Sequence, residues 1–232
     1  STVEIRNPAR PREVLARIAL DGPEQLHAKL KTADLAAADW AATRPAQRCQ
    51  LLRRLADELQ NNRDRLVGLC IAESGKTLAD SVGEVREAVD FCRYYAEHAE
   101  ILFDDSGVLP RGVVLCISPW NFPLAIFIGQ IAAALACGNT VVAKPAMQSL
   151  LMARCVVELM ASSGFPAGCC QLLLAPGVAV GEQLLPDSRI QAVLFTGSLA
   201  TGHWLNRALA RREPCPLIAE TGGQNAMLVD AT

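Results

Sequence analysis

Residues 111–144, RGVVLCISPWNFPLAIFIGQIAAALACGNTVVAK, read as strand, tight turn, buried helix and strand. Residues 112–118 are β-rich and almost wholly apolar, which suits a strand covered on both faces. The run Pro119, Trp120, Asn121, Phe122, Pro123 then breaks it, because each proline lacks a backbone donor and disfavours helix in the residue before it. Residues 122–137 form a helix pattern that is apolar nearly all round, hence a core helix. Gly138 and Asn139 stop it, and Thr140 to Lys144 is a second short β-branched run. Short connections between these elements imply a right-handed βαβ unit in a parallel sheet. Asn121 and Lys144 then reach the carboxyl edge of the sheet, where open α/β sheets bind ligands. A turn asparagine and a snorkelling strand-end lysine explain the pair equally well at this stage.

Working outward, the β/α alternation continues on the C-terminal side. Helix patterns cover residues 149–163, 178–185 and 198–210, and strand patterns cover 170–174, 192–195, 216–219 and 226–229. The fold class is therefore α/β: a doubly wound, Rossmann-like parallel sheet preceded by a helical N-terminal segment. On the N-terminal side, four helix patterns span 23–40, 45–62, 63–73 and 78–103. Residues 1–22 read as an extended arm or edge strand, and 104–110 as a linker. The expected division is 1–108, an arm and helices that pack on the sheet, and 109–232, the α/β core.

Composition narrows the function classes. At 232 residues, 51% hydrophobic and 20% charged, the chain can bury a large core. A net charge of −2 with both signs interspersed attracts neither nucleic acid nor an anionic membrane. No secretory signal pattern opens the sequence, and the apolar stretch around 122–137 is short for a membrane span and contains Gln130. Nine cysteines lie mostly in apolar patterns without metal-ligand spacing, as expected for reduced thiols in the cytoplasm.

Two motifs are weak by themselves. Gly197, Ser198 and Gly202 follow a strand pattern and open a helix, a geometry that favours an anion but is also an ordinary helix cap. Residues 73–77, ESGKT, imitate the tail of a P-loop, but Cys70 stands where a glycine is needed and the run follows a helix pattern, so a P-loop is rejected. His27, His98 and His203 are scattered, without triad or metal spacing.

Several separated motifs in register carry a resemblance. ISPWNFP at 117–123, AKPA at 143–146, FTGS at 195–198 and ETGG at 220–223 are similar to the aldehyde dehydrogenase superfamily. Residues 73–99 and 216–230 further resemble the pyrroline-5-carboxylate dehydrogenase module of bifunctional proline-utilisation (PutA) proteins. That resemblance implies NAD-dependent oxidation of L-glutamate γ-semialdehyde to glutamate. It implies Asn121 as oxyanion donor and Glu220 as general base, the latter tuned by partial burial. It implies cofactor contacts from Ile117, Ser118, Pro119, Trp120, Lys144, Phe195, Gly197, Ser198 and Gly222, with Gly223 beside the nicotinamide. Met147 stands where the family places a ribose-binding glutamate, so NAD is expected and NADP is left open.

The family's nucleophilic cysteine lies beyond the ETGG motif in a segment resembling GQRC, and no cysteine of this chain matches it. The resemblance therefore covers the N-terminal, cofactor-binding half, with the catalytic domain expected downstream, and these 232 residues alone are expected to be inactive. The expected partners are a small aldehyde substrate, and either a homo-oligomer or a larger bifunctional PutA-type chain. No nucleic acid and no membrane span are expected. A non-catalytic dinucleotide-binding module and a structural remnant of an aldehyde dehydrogenase are the alternatives.

Overall fold

The computed structural model describes residues 1–103, 107–222 and 226–230. A parallel five-stranded sheet lies at its centre, in the order β5-β4-β3-β6-β7. The strands are β3 (Val113–Ile117), β4 (Thr140–Lys144), β5 (Cys170–Leu172), β6 (Ile190–Gly197) and β7 (Leu217–Thr221). From β3 the chain winds outward to β4 and β5, then returns to lay β6 and β7 on the other side. The strand order thus reverses between β3 and β6, and a crevice forms where the two halves diverge. The βαβ unit expected at 111–144 is present: β3 pairs in parallel with β4, Ile117 opposite Lys144, across α5 (Ala125–Ala136).

Helices cover both faces. On one, α5, α6 (Leu150–Ser162) and α4 (Leu78–Phe103) share a core with the sheet residues Val114, Cys116, Val141 and Ala143. The helices α2 (Pro45–Asn61) and α3 (Arg63–Ser74) complete this layer. On the other face, α1 (Pro23–Ala42), α7 (Gly177–Leu184) and α8 (Leu199–Leu209) pack on Val113, Leu115, Val142 and Val193. Alternate residues of β3 and β4 therefore enter opposite cores, which is why both strands read as continuous apolar runs. Gly181 holds α7 against α8: a Cβ there would lie 2.3 Å from the Trp204 ring.

The N-terminal arm differs from expectation. Residues 1–22 do not join the sheet; β1 (Thr2–Asn7) and β2 (Arg10–Ala19) form their own antiparallel hairpin. The reason is a local turn, in which the Asn7 side chain accepts the Ala9 N–H at 3.0 Å beside Pro8. The hairpin packs Ile5 and Ile18 on Leu150 and is tied down by Asp21, which accepts from Leu174 N–H at 2.7 Å and pairs with Lys29.

The strand expected at 226–229 is also absent. Residues 226–230 are coil, and Met227, Leu228 and Val229 are exposed, because no strand among the described residues accepts their ladder. Among the described residues, no helix is long and apolar enough to cross a membrane.

Candidate active site at the sheet's carboxyl edge

The predicted residues gather at the carboxyl ends of β3, β4, β6 and β7. Ile117 ends β3, paired with Lys144 of β4 on one side and Phe195 of β6 on the other. Ser118 follows, buried, its N–H donated to the Lys144 carbonyl at 3.2 Å. Pro119 and Trp120 then lead out of the sheet, and Trp120 is 58% exposed. Asn121 is exposed as well. On the far side, Glu220 is exposed on β7 opposite Thr196, and Gly222 follows it with φ +73°. Gly223 lies outside the described residues.

Lys144 has the least ordinary environment. It is 8% exposed, burial pushes its ammonium pKa down, and no carboxylate pairs with it among the described residues. Its Nζ lies against the first residue of α7, 3.8 Å from where a Cβ on Gly177 would stand. A cation and a helix N-terminus repel each other, and a group with oxygen acceptors between them relieves this.

Ser198 is the N-cap of α8, its hydroxyl accepting the Thr201 N–H at 3.2 Å. The cap reading is therefore correct, and it leaves the first N–H groups of α8 without intrahelical acceptors at the same edge. Phe195 is 4% exposed, with its ring beneath Gly197, so its side chain supports the 197–198 turn from below. Glu220 lacks the partial burial expected of a general base; the described residues supply no cover for it.

Three features escaped sequence reasoning. The Gln130 side chain donates to the Ile117 carbonyl and to Thr196 Oγ1, both at 3.2 Å, and so bridges β3 and β6 across the crevice floor. Met147 is half-buried and packs with the β1–β2 hairpin cluster. Glu73 and Glu84 are buried and cap the starts of α6 and α5, neither of which has a capping side chain of its own. For α5, whose N-cap is Leu124, a start without Ser, Thr, Asp or Asn was the available signal; α6 has Ser149 at its N-cap, so no such signal stood there.

None of the nine cysteines has the electropositive, exposed setting of a nucleophile. All are free, burial raises every one of their pKa values, and Cys70, Cys92 and Cys169 are pushed up to about 12. Among the described residues, no group of His, Cys, Asp and Glu could hold a metal ion.

A doubly wound sheet with this crevice and these four motifs defines an aldehyde dehydrogenase fold, and the chain belongs to the aldehyde dehydrogenase family, whose model matches residues 1–232. Its relatives narrow the comparison. The bifunctional protein PutA of Escherichia coli K12 is 45% identical over 231 residues, covering 97% of this chain and 18% of PutA. The 1-pyrroline-5-carboxylate dehydrogenase of Anoxybacillus flavithermus is 34% identical over 97% of this chain and 47% of its own length. The structure of 1-pyrroline-5-carboxylate dehydrogenase from Thermus with bound NAD superposes with a TM-score of 0.91 at 32% identity, covering 96% of this chain and 47% of that one. The chain thus spans less than a fifth of the PutA relatives' length and about half that of the single-function dehydrogenases.

Proposed function

We propose that this chain is the cofactor-binding part of an NAD-dependent dehydrogenase that oxidises L-glutamate γ-semialdehyde to glutamate in proline catabolism. The observation that carries the reading is Lys144 at the carboxyl end of β4, next to the switch-point strand β3: a buried cation that no carboxylate pairs with among the described residues, facing the N-terminus of α7. Its donors suit a dinucleotide: the Lys144 ammonium for a ribose hydroxyl, and the open N–H groups after Ser198 for the pyrophosphate. Likeness to an NAD-bound Thermus enzyme supports NAD as the cofactor. Met147 leaves NADP open, because it offers no carboxylate to the ribose.

The bound cofactor supplies a two-electron hydride acceptor. The protein's own groups do the rest. The Asn121 amide donates to the oxygen that becomes negative when a thiolate adds to the aldehyde. The Glu220 carboxylate accepts a proton from the water that releases the acid, and becomes buried when further protein covers β7. Residues 1–108 act as the packing layer, and 109–232 as the cofactor core. With every thiol here raised by burial, the nucleophile is assigned outside residues 1–232, and these residues alone are inactive. Nine unpaired thiols are in keeping with a cytoplasmic setting.

The test has two arms. NAD is titrated into the purified chain by calorimetry, and NADH formation from the semialdehyde is followed in the intact gene product. Binding by the chain without turnover, and turnover by the intact product that falls about 100- to 1,000-fold in Asn121→Ala, is the expected result. Absence of NAD binding in both would overturn the reading and favour a structural remnant.

A further inference from the structure

Residues 73–84, ESGKTLADSVGE, join α3 to α4 and belong to neither the sheet nor the crevice. The joint is capped from both sides. Gly75, with φ +68°, ends α3 in the left-handed region and returns its N–H to the Ile71 carbonyl. Thr77 opens α4: its hydroxyl accepts the Asp80 N–H at 3.1 Å and its carbonyl accepts the Ser81 N–H. Lys76 is the single residue between these caps, so its backbone has little freedom.

From that place the Lys76 ammonium reaches the turn between β3 and α5. It donates to the Asn121 carbonyl at 2.8 Å, lies 2.8 Å from Glu84 Oε1, and sits 4.7 Å from the centre of the Phe122 ring. Glu84 Oε2 accepts the N–H groups of Leu124 and Ala125 at 3.1 and 2.9 Å. One ion pair therefore grips residues 118–125 twice: the ammonium holds the middle at Asn121, and the carboxylate holds the end where α5 begins. The pair is sheltered, with the Glu84 side chain 1% and the Lys76 side chain 16% exposed. A compact ammonium with three N–H donors suits a carbonyl, a carboxylate and a ring face at once.

We propose that Lys76 is a positioning residue for the oxidation, fixing the Asn121 peptide so that the exposed Asn121 amide presents its N–H groups to the developing oxyanion. This rests on the reading of Asn121 as oxyanion donor. The lysine that imitates a P-loop thus acts on its own chain instead of on a phosphate. Its catalytic effect passes entirely through Asn121.

The test uses Lys76→Met and the double variant Lys76→Met/Glu84→Gln. The double variant keeps an acceptor for Leu124 and Ala125 and leaves no unpaired buried carboxylate, so it stays folded if the single variant does not. Hydrogen exchange read by mass spectrometry on the chain should show residues 118–125 exchanging at least ~10-fold faster in both, with β3 and β4 unchanged. In the intact gene product, kcat should fall about 10- to 100-fold with KM for NAD held within about threefold. Adding Lys76→Met to Asn121→Ala should cost little more, because both changes remove one interaction. Unchanged exchange, or losses that multiply in full with Asn121→Ala, would overturn the proposal. A wild-type gene product that oxidises no aldehyde sinks the functional reading and the catalytic role of Lys76 with it, while exchange still decides whether the clamp exists.

Discussion

Glu73 of α3 caps Met152 of α6: its carboxylate accepts the Met152 N–H at 2.8 Å and the neighbouring Leu151 N–H at 2.7 Å. The two donors favour the charged form, yet burial outweighs them and pushes the carboxyl up to about 7 from 4.5.

The consequence for stability has a definite sign. An acid whose folded pKa lies above its unfolded value binds its proton more tightly when folded. The contribution of Glu73 to stability is then fully present below pH 4.5 and is lost as pH rises to about 7, by about 3 kcal/mol over that window. Glu73→Gln removes this titration. Urea unfolding of both proteins between about pH 5 and 8 should show wild type losing stability relative to the variant as pH rises; parallel profiles would rule the account out.

Lys144→Met should move affinity and stability in opposite directions. The variant exchanges a buried cation, without an ion-pair partner among the described residues, for an apolar side chain of similar length, which leaves the fold as stable or more so. It also removes a charged donor from the crevice, worth about 10- to 100-fold in NAD affinity. Calorimetric titration and thermal melts on the same samples check both. Unchanged NAD binding would remove Lys144 from the site.

Met147 packs with the hairpin residues Val3, Leu15 and Leu20 around Ile5 and Ile18. Met147→Glu should restore a ribose acceptor and tighten NAD about tenfold relative to NADP. The same change costs about 1 kcal/mol by loosening the hairpin. A variant with the wild-type NAD/NADP ratio would show that position 147 does not face the ribose.

Only Cys137 and Cys215 are half-buried; the other seven thiols are buried. A thiol-reactive disulfide reagent should therefore modify about two thiols rapidly in the native chain. All nine should react after unfolding in denaturant. Rapid loss of a third native thiol would reveal an accessible, low-pKa cysteine and reopen the search for a nucleophile within these residues.

Much of this was legible in the sequence. Strand, turn, helix and strand over 111–144 are set by neighbours a few residues apart: prolines at the turn, an apolar helix, a glycine stop. The helix patterns at 23–40, 45–62, 63–73 and 78–103 correspond to α1 through α4 for the same reason. The motifs around Asn121, Lys144, Ser198 and Glu220 were visible as residues at strand ends. Tertiary structure alone decided that β6 lies beside β3, that residues 1–22 pair with themselves, and that 226–229 finds no partner strand. It also decided which polar groups lose water. Glu73 meets α6 about 78 residues away, Lys76 meets Asn121 across 45, and Lys144 is desolvated by packing from separate segments. Local pattern reports backbone preference and facing. Desolvation and pairing of a charge depend on which distant segment closes over it, and only the packed chain determines that.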